Sequence, residues 1–290
     1  MDVRQLEYFL AVVDHGGVNR AATALHLAQP SLSQALRSLE RDLGSDLFHR
    51  IGRRVVLTGA GHALVGPARE AVRGLDLARS AVEAAQGLRR GRVDVATLPT
   101  QAIQPLTGLV SGFTALHPEM SVSVRVALTA RDAVDMVRTG ACELGVVATA
   151  GPLPEAGVRV RPLVRQAFVL LAPRDGPFRE GEPVPVERLA GRRLIVGQPG
   201  SGMRRFVDDL VADGLEAHIA VETEDRLSVL PLVLAGSGLA VVTDAWRDLA
   251  ERAGALVLDL VPTGHLDVAL ISRRGPLTAG AEAFAAHAVG

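Results

Sequence analysis

The chain has 290 residues, which is enough for two or three domains. Its apolar share of 48% supports a sizeable core, and the single cysteine, Cys142, excludes an internal disulfide framework and a cysteine-rich zinc site. The net charge is −1 and all 31 basic side chains are arginine, so any contact with nucleic acid must come from a local patch of Arg, backbone N–H and neutral groups.

Leu6, Phe9, Leu10 and Val13 fall at helical spacing and predict an amphipathic first helix over 4–13, stopped by His15-Gly16-Gly17. Asn19 is placed to cap a second helix, Arg20–Leu25, whose Ala21, Ala22 and Ala24 permit close packing. His26-Leu27-Ala28 forms the turn. Pro30 suits the first turn of a third helix, where Ser31 and Ser33 can satisfy orphan N–H groups. Leu32, Leu36 and Leu39 face inward, which leaves Gln29, Ser33, Gln34 and Arg37 outside. Such groups can hydrogen-bond base edges and phosphates. Spacing alone leaves two readings open, DNA recognition or a plain helical hairpin.

Leu47-Phe48, a basic turn from His49 to Arg54 and Val55-Val56-Leu57 read as a small hairpin with Arg50, Arg53 and Arg54 at its tip. The tip is either a solvated turn or a wing on sugar-phosphate, and its place after two short helices favours the wing. From Thr58 to Arg89 an apolar stripe (Leu64, Val65, Ala68, Val72, Leu75, Val82) predicts a long helix capped by Thr58 and perturbed at Pro67. It is longer than its own domain can cover, which suggests a partner helix from a second copy.

From Arg92 onward the texture changes. Short apolar strands (93–96, 122–126, 144–148, 168–171, 194–196, 219–221, 239–242, 257–260, 268–271) alternate with amphipathic runs (105–117, 132–139, 204–213, 227–235). This is the signature of mainly parallel α/β sheets, with too many strands for one compact sheet. Two α/β lobes are expected, with crossings at 160–163 and 263–266 and the C-terminal strand and helix closing the first lobe.

Ligands in such sheets sit at the carboxyl ends of strands. The residues expected there are Thr100, Gln101, Thr129, Thr149, Ser201, Gly202, Met203 and Thr223. They suit a small polar or anionic molecule, although each hydroxyl alone is more often a helix cap. Arg131 and Arg204 lean toward an anion, although exposed arginine is usually just solvated. Catalytic signals are missing: there is no P-loop, HExxH or GxSxG, the eight His are scattered, and Gly200-Ser201-Gly202 and Gly236-Ser237-Gly238 do not complete GxGxxG. No enzyme, metal or cofactor is expected. Cys142, between a helix and an apolar strand, reads as a buried small residue, with a redox-sensor thiol as the alternative although no second cysteine exists to resolve it. No apolar stretch reaches the roughly 18 residues of a membrane span, and MDVRQLEYFL has no export-signal pattern. The expected compartment is the cytoplasm, with no membrane partner.

In order and motif, the chain resembles the LysR-type transcriptional regulators over essentially its full length. The carrying residues are Leu6-xx-Phe9, Ala21-Ala22-xx-Leu25-His26, Gln29-Pro30-Ser31-Leu32-Ser33, Leu36-xx-Leu39-Glu40, Leu43-Gly44-xx-Leu47-Phe48-xx-Arg50 and Leu57-Thr58-xx-Gly61. Phe113-xxx-His117-Pro118 and Val233-xx-Gly236-x-Gly238 add a weaker match. The resemblance implies an α-dominated winged helix-turn-helix over 1–58, a dimerising linker helix over 59–89 and a two-lobed α/β effector domain over 90–290. That domain would be of the periplasmic-binding-protein-like type 2, with lobe I at 92–161 plus 267–290 and lobe II at 162–266.

The resemblance further implies double-stranded operator DNA as partner, an effector in the interlobe cleft, homodimers pairing into a homotetramer, and RNA polymerase as a candidate partner. Carried over by position, Gln29, Pro30, Ser31, Ser33, Gln34 and Arg37 would recognise DNA, with Arg50, Arg53 and Arg54 in the wing. Three positions depart from the family pattern. Ala28 stands where a hydroxyl is common, Gln34 where a basic residue is common, and Thr243 where proline is usual. A cytoplasmic solute-binding protein without a DNA role is the alternative suggested by the two lobes alone.

Overall fold

The computed structural model describes residues 1–51, 54–85, 91–151 and 157–290, with the side chains of 50, 51, 54 and 83–85 also left aside. The chain divides into two compact units, Met1–Leu88 and Arg89–Arg138 with Cys142–Gly290, apart from a three-residue segment between the parts of the second.

In the first unit, α1 (Val3–His15) starts in a reciprocal capping box. The Asp2 carboxylate accepts from Gln5 N and the Gln5 side chain accepts from Asp2 N, each at 2.8 Å. Gly16 ends the helix in the left-handed conformation, φ 64°. The second helix, α2 (Val18–Ala24), begins at once from Gly17, so Asn19 lies inside it and is not its cap. With no residue spare after the Gly16 stop, the capping position falls to Gly17.

The third helix, α3 (Gln29–Leu43), carries Pro30 in its first turn, as expected, but no side chain caps it. Leu32, Leu36 and Leu39 are buried with Leu6, Phe9 and Leu10 of α1 and Ala21 of α2, each large side chain contributing about 1.5–3 kcal/mol. Strands β1 (Phe48–Ile51) and β2 (Arg54–Leu57) pair antiparallel as the expected hairpin. The Phe9 and Phe48 rings, 5.4 Å apart, tie it to α1.

The long helix α4 (Gly59–Ala85) carries Pro67 inside it. The buried Thr58 hydroxyl accepts from Gly61 N at 2.9 Å and donates to Asp46 O at 2.7 Å, so the expected cap forms. Ala68 is buried in the helical core and Leu64, Val65 and Val72 pack on it. Val82, about three turns further along, is 61% exposed.

In the second unit, β3 (Gly91–Thr97) pairs parallel with both β4 (Met120–Val126) and β5 (Leu144–Thr149). The helices α5 (Pro99–Ile103), α6 (Leu106–Leu116) and α7 (Ala130–Thr139) make the crossovers. The long strand β6 (Val158–Ala172) follows, then β7 (Val184–Pro185), β8 (Arg193–Gly197), α8 (Gly202–Ala212), β9 (His218–Thr223), α9 (Val229–Leu234), β10 (Leu239–Thr243) and α10 (Arg247–Arg252). The chain closes with β11 (Leu256–Val261), β12 (His265–Arg273) and α11 (Ala279–His287).

The strand order is β4-β3-β5-β12-β6-β10-β8-β9, with β11 also on β6. Three parallel strands at each end are thus joined through antiparallel strands, giving two α/β lobes. The handover lies inside β6. As far as Ala167 it pairs with β12, and from Phe168 it pairs with β10. The sequence reading put that crossing earlier, at 160–163, because the first half of β6 (VRVRPLVRQ) alternates and carries proline, unlike a buried central strand. The crossing strands supply Phe168, Val169, Leu170, Leu266, Val268 and Leu270 to one continuous core.

Candidate nucleic-acid interface and ligand cleft

The outer face of α3 presents Gln29, Pro30, Ser31, Gln34 and Arg37, all exposed. Gln34 and Arg37 have no side-chain hydrogen bond among the described residues, so both are free to meet a partner. Ser33 is not on that face. It is 9% exposed and its Oγ accepts from Gln29 Nε2 at 2.8 Å. It precedes Leu36 by three positions and shares the inward edge of the helix. Arg41, one turn after Arg37, extends the exposed basic row, and its Nε donates to Arg37 O at 3.3 Å. Its spacing of four from Arg37 is the signal in the sequence that places it on the same face. A helix about 22 Å long at 1.5 Å per residue fits a B-DNA major groove, which admits one α-helix.

The hairpin follows α3 through a segment held by Glu40, whose Oε1 accepts from Leu47 N at 2.9 Å. The strands that carry Arg50 and Arg54 are present, while their side chains, and Gly52 and Arg53 at the tip, lie outside the described residues.

The second unit contains a cavity of about 80 Å³ at the carboxyl ends of its parallel strands, bounded by both lobes. Of the expected residues, Thr100, Gln101, Thr129, Thr149, Ser201, Gly202 and Met203 line it. Thr223 does not. Its Oγ1 accepts from Asp225 N at 3.1 Å and lies 3.0 Å from Ser228 Oγ, building a turn beside the cavity.

Most of the hydroxyls are occupied. Thr129 and Asp132 cap α7 reciprocally, Thr129 Oγ1 donating to Asp132 at 2.8 Å and accepting from Asp132 N at 3.1 Å. Ser201 caps α8 and donates to Gln198 O at 2.9 Å. Thr149 donates to Gly151 O. Buried Gln101 donates to Gln166 at 3.2 Å. Thr100 is the exception, its hydroxyl having no protein partner among the described residues.

The charges differ from those expected. Arg204 is spoken for by Asp208, at 2.7 Å, and by Glu222, which together raise its pKa above the ordinary arginine value. Arg131 is exposed and does not line the cavity. Arg226 and Arg205, neither foreseen, do line it. Arg226 follows Glu224 and Asp225 in sequence, where an arginine reads as a solvated ion pair. Its burial is tertiary and left no local signal.

Among the described residues, no group of His, Cys, Asp and Glu could hold a metal ion, and no helix is long and apolar enough to cross a membrane.

Family models match both units. The bacterial regulatory helix-turn-helix protein of the lysR family matches residues 3–62, and the LysR substrate binding domain matches residues 86–290. The chain is 31% identical over 251 residues to the HTH-type transcriptional regulator TfdS of Cupriavidus pinatubonensis (strain JMP 134 / LMG 1197), covering 83% of this chain and 82% of that protein. It is 30% identical over 289 residues to the nitrogen assimilation regulatory protein nac of Klebsiella aerogenes, covering 98% and 92%. Among solved structures, full-length CbnR complexed with its target DNA is 25% identical and superposes with a TM-score of 0.68 over 99% of each chain. A helix-turn-helix with an exposed polar face on its third helix, a two-lobed α/β unit and these matches over nearly the whole length agree: the chain belongs to the LysR family and is a DNA-binding transcriptional regulator, not an enzyme.

Proposed function

We propose that the protein is an effector-responsive regulator that reads a pseudo-palindromic operator through α3 and senses a small molecule in the interlobe cleft. In this reading Gln29, Gln34 and Arg37 face base edges, Pro30 and Ser31 set the helix tip against the backbone, and Arg50, Arg53 and Arg54 meet sugar-phosphate. Ser33 serves by holding Gln29 in place. Two copies pair through the far half of α4, where Leu75 and Val82 lie beyond the core of their own unit. Dimers then pair into tetramers. The regulator works in the cytoplasm and acts on transcription through RNA polymerase. The effector sits against Thr100, Gln101, Thr149 and the start of α8, with Thr129 and Ser201 shaping the walls.

The observation that carries the DNA assignment is the uncommitted pair Gln34 and Arg37 on an exposed helix face. CbnR, solved with its target DNA, shares this architecture along its whole length. An operator selected from random duplexes and measured by fluorescence anisotropy tests it. Arg37→Ala is expected to cost about 1–3 kcal/mol and to relax the preference at one base pair. Arg53→Gln is expected to weaken all sequences alike and to flatten the salt dependence by about one unit of slope per lost phosphate contact. Unchanged affinity and specificity in Arg37→Ala would remove α3 from the groove.

A further inference from the structure

The cleft holds a charge that the protein leaves unanswered. Arg226 is 8% exposed and its Nη1 is fully buried with no hydrogen-bond partner among the described residues. No described carboxylate pairs with it, and burial alone lowers its pKa. An isolated buried guanidinium is expensive, and arginine does not shed its proton to relieve the strain. The chain has nevertheless made room for it. A Cβ on Gly197, at the end of β8, would come within 2.2 Å of Nη1, so glycine is needed for the guanidinium to lie there. The turn that holds Arg226 is tied by Thr223, Asp225 and Ser228, with Asp225 Oδ1 accepting from Leu227 N at 2.9 Å.

The rest of the lining complements a negative ligand. Arg205 is a second cation on it, and no Asp, Glu or His is among the lining residues. The backbone N–H groups of Gly202 and Met203 open the eleven-residue helix α8 at the same cavity and have no acceptor among the described residues. The Thr100 hydroxyl is free to donate.

We infer that the cleft is an anion receptor in which Arg226 provides the countercharge, and that the effector carries a carboxylate or inorganic oxyanion group. At about 80 Å³ the cavity is well below the roughly 300–1,000 Å³ of ordinary ligand pockets, so the anionic group belongs to a compact molecule. This inference rests on the cleft being the effector site, and adds the chemical class and the residue that selects it.

The test uses full-length protein and the fluorescence of its one tryptophan, Trp246, which reports on the second unit. Thermal melts are recorded in chloride and, at equal ionic strength, in sodium acetate, sulfate or phosphate. At least one oxyanion is expected to raise the parent's Tm by about 3 °C or more beyond its effect on Arg226→Met, the variant serving as control for general salt effects. In chloride, Arg226→Met is expected to melt above the parent because the unpaired charge is gone. Arg226→Lys is expected to keep part of the oxyanion response.

Equal oxyanion responses in the parent and Arg226→Met would overturn the inference. So would a lower Tm of Arg226→Met in chloride, which would assign Arg226 a structural role. A neutral metabolite that stabilises the parent and Arg226→Met alike, but Thr100→Val less, would keep the cleft as the effector site and sink the anion alone.

Discussion

The cleft hydroxyls divide by what they already bond. Thr129 holds α7 through its reciprocal bonds with Asp132, whereas the Thr100 hydroxyl has no partner among the described residues. Both become valine with little change of shape, so the two substitutions separate capping from recognition. Thr129→Val is expected to lose about 0.5–2 kcal/mol, the ordinary worth of a cap, while Thr100→Val stays within about 0.5 kcal/mol of the parent. Urea unfolding followed by circular dichroism measures both. A loss in Thr100→Val as large as in Thr129→Val would show that its hydroxyl is structural. This division was only half legible in the sequence. Thr and Ser at strand ends announced a cleft, but capping and ligand binding draw on the same residue types, and only the bonds tell them apart. Arg226 was not legible at all, because its acidic neighbours in sequence are not its neighbours in space.

The seat of α4 shows why an element can hang on one residue without a functional group. A Cβ on Gly61 would stand 2.1 Å from Leu47 O, and the obstacle is backbone that cannot rotate away. The first turn of α4 therefore lies against the chain leading into β1, and Thr58 fixes the same junction by bonding both sides of it. Gly61→Ala is expected to destabilise the first unit by about 1–3 kcal/mol through overpacking. Gly59→Ala, two residues earlier with nothing within 4 Å of its Cβ, is expected to be neutral or to stabilise by about 0.4–1 kcal/mol. Similar gains in the two variants would show that helix propensity, not the close approach, governs this site. The elements themselves were readable wherever period and punctuation agreed: α1, α3, the hairpin and α4 all follow from apolar spacing and from Gly, Pro and Thr at their ends. Asn19 and Ser33 were misplaced for local reasons. A glycine took the capping position before Asn19, and Ser33 lies three residues before Leu36 and so shares the inward edge. The first half of β6 escaped because a strand that crosses between lobes is half exposed and looks like a linker.

At the scale of the whole sensing unit, two lobes joined by crossing strands need something to set how far the cleft stands open. A bond bridges it: Gln198, just past β8, donates through Nε2 to Leu128 O, just past β4, at 3.5 Å. The bond is long, and the other end of the same amide, Oε1, is buried without a partner among the described residues. Those two features oppose each other, since the bridge favours closure while the orphan acceptor makes closure costly. A switch needs such near balance. A cleft locked shut would exclude its ligand, and one with no bias would respond weakly, because a ligand shifts states only by its differential affinity for them. Gln198→Ala removes both the bridge and the orphan. If the bridge dominates, amide hydrogen exchange at residues 98–101 and 200–203 of the ligand-free protein rises by about two- to tenfold, the worth of one modest hydrogen bond. Slower exchange in the variant would mean that the orphan Oε1 dominates and that the amide props the cleft open. Unchanged exchange would remove Gln198 from control of the cleft and leave the opening to the crossing strands themselves.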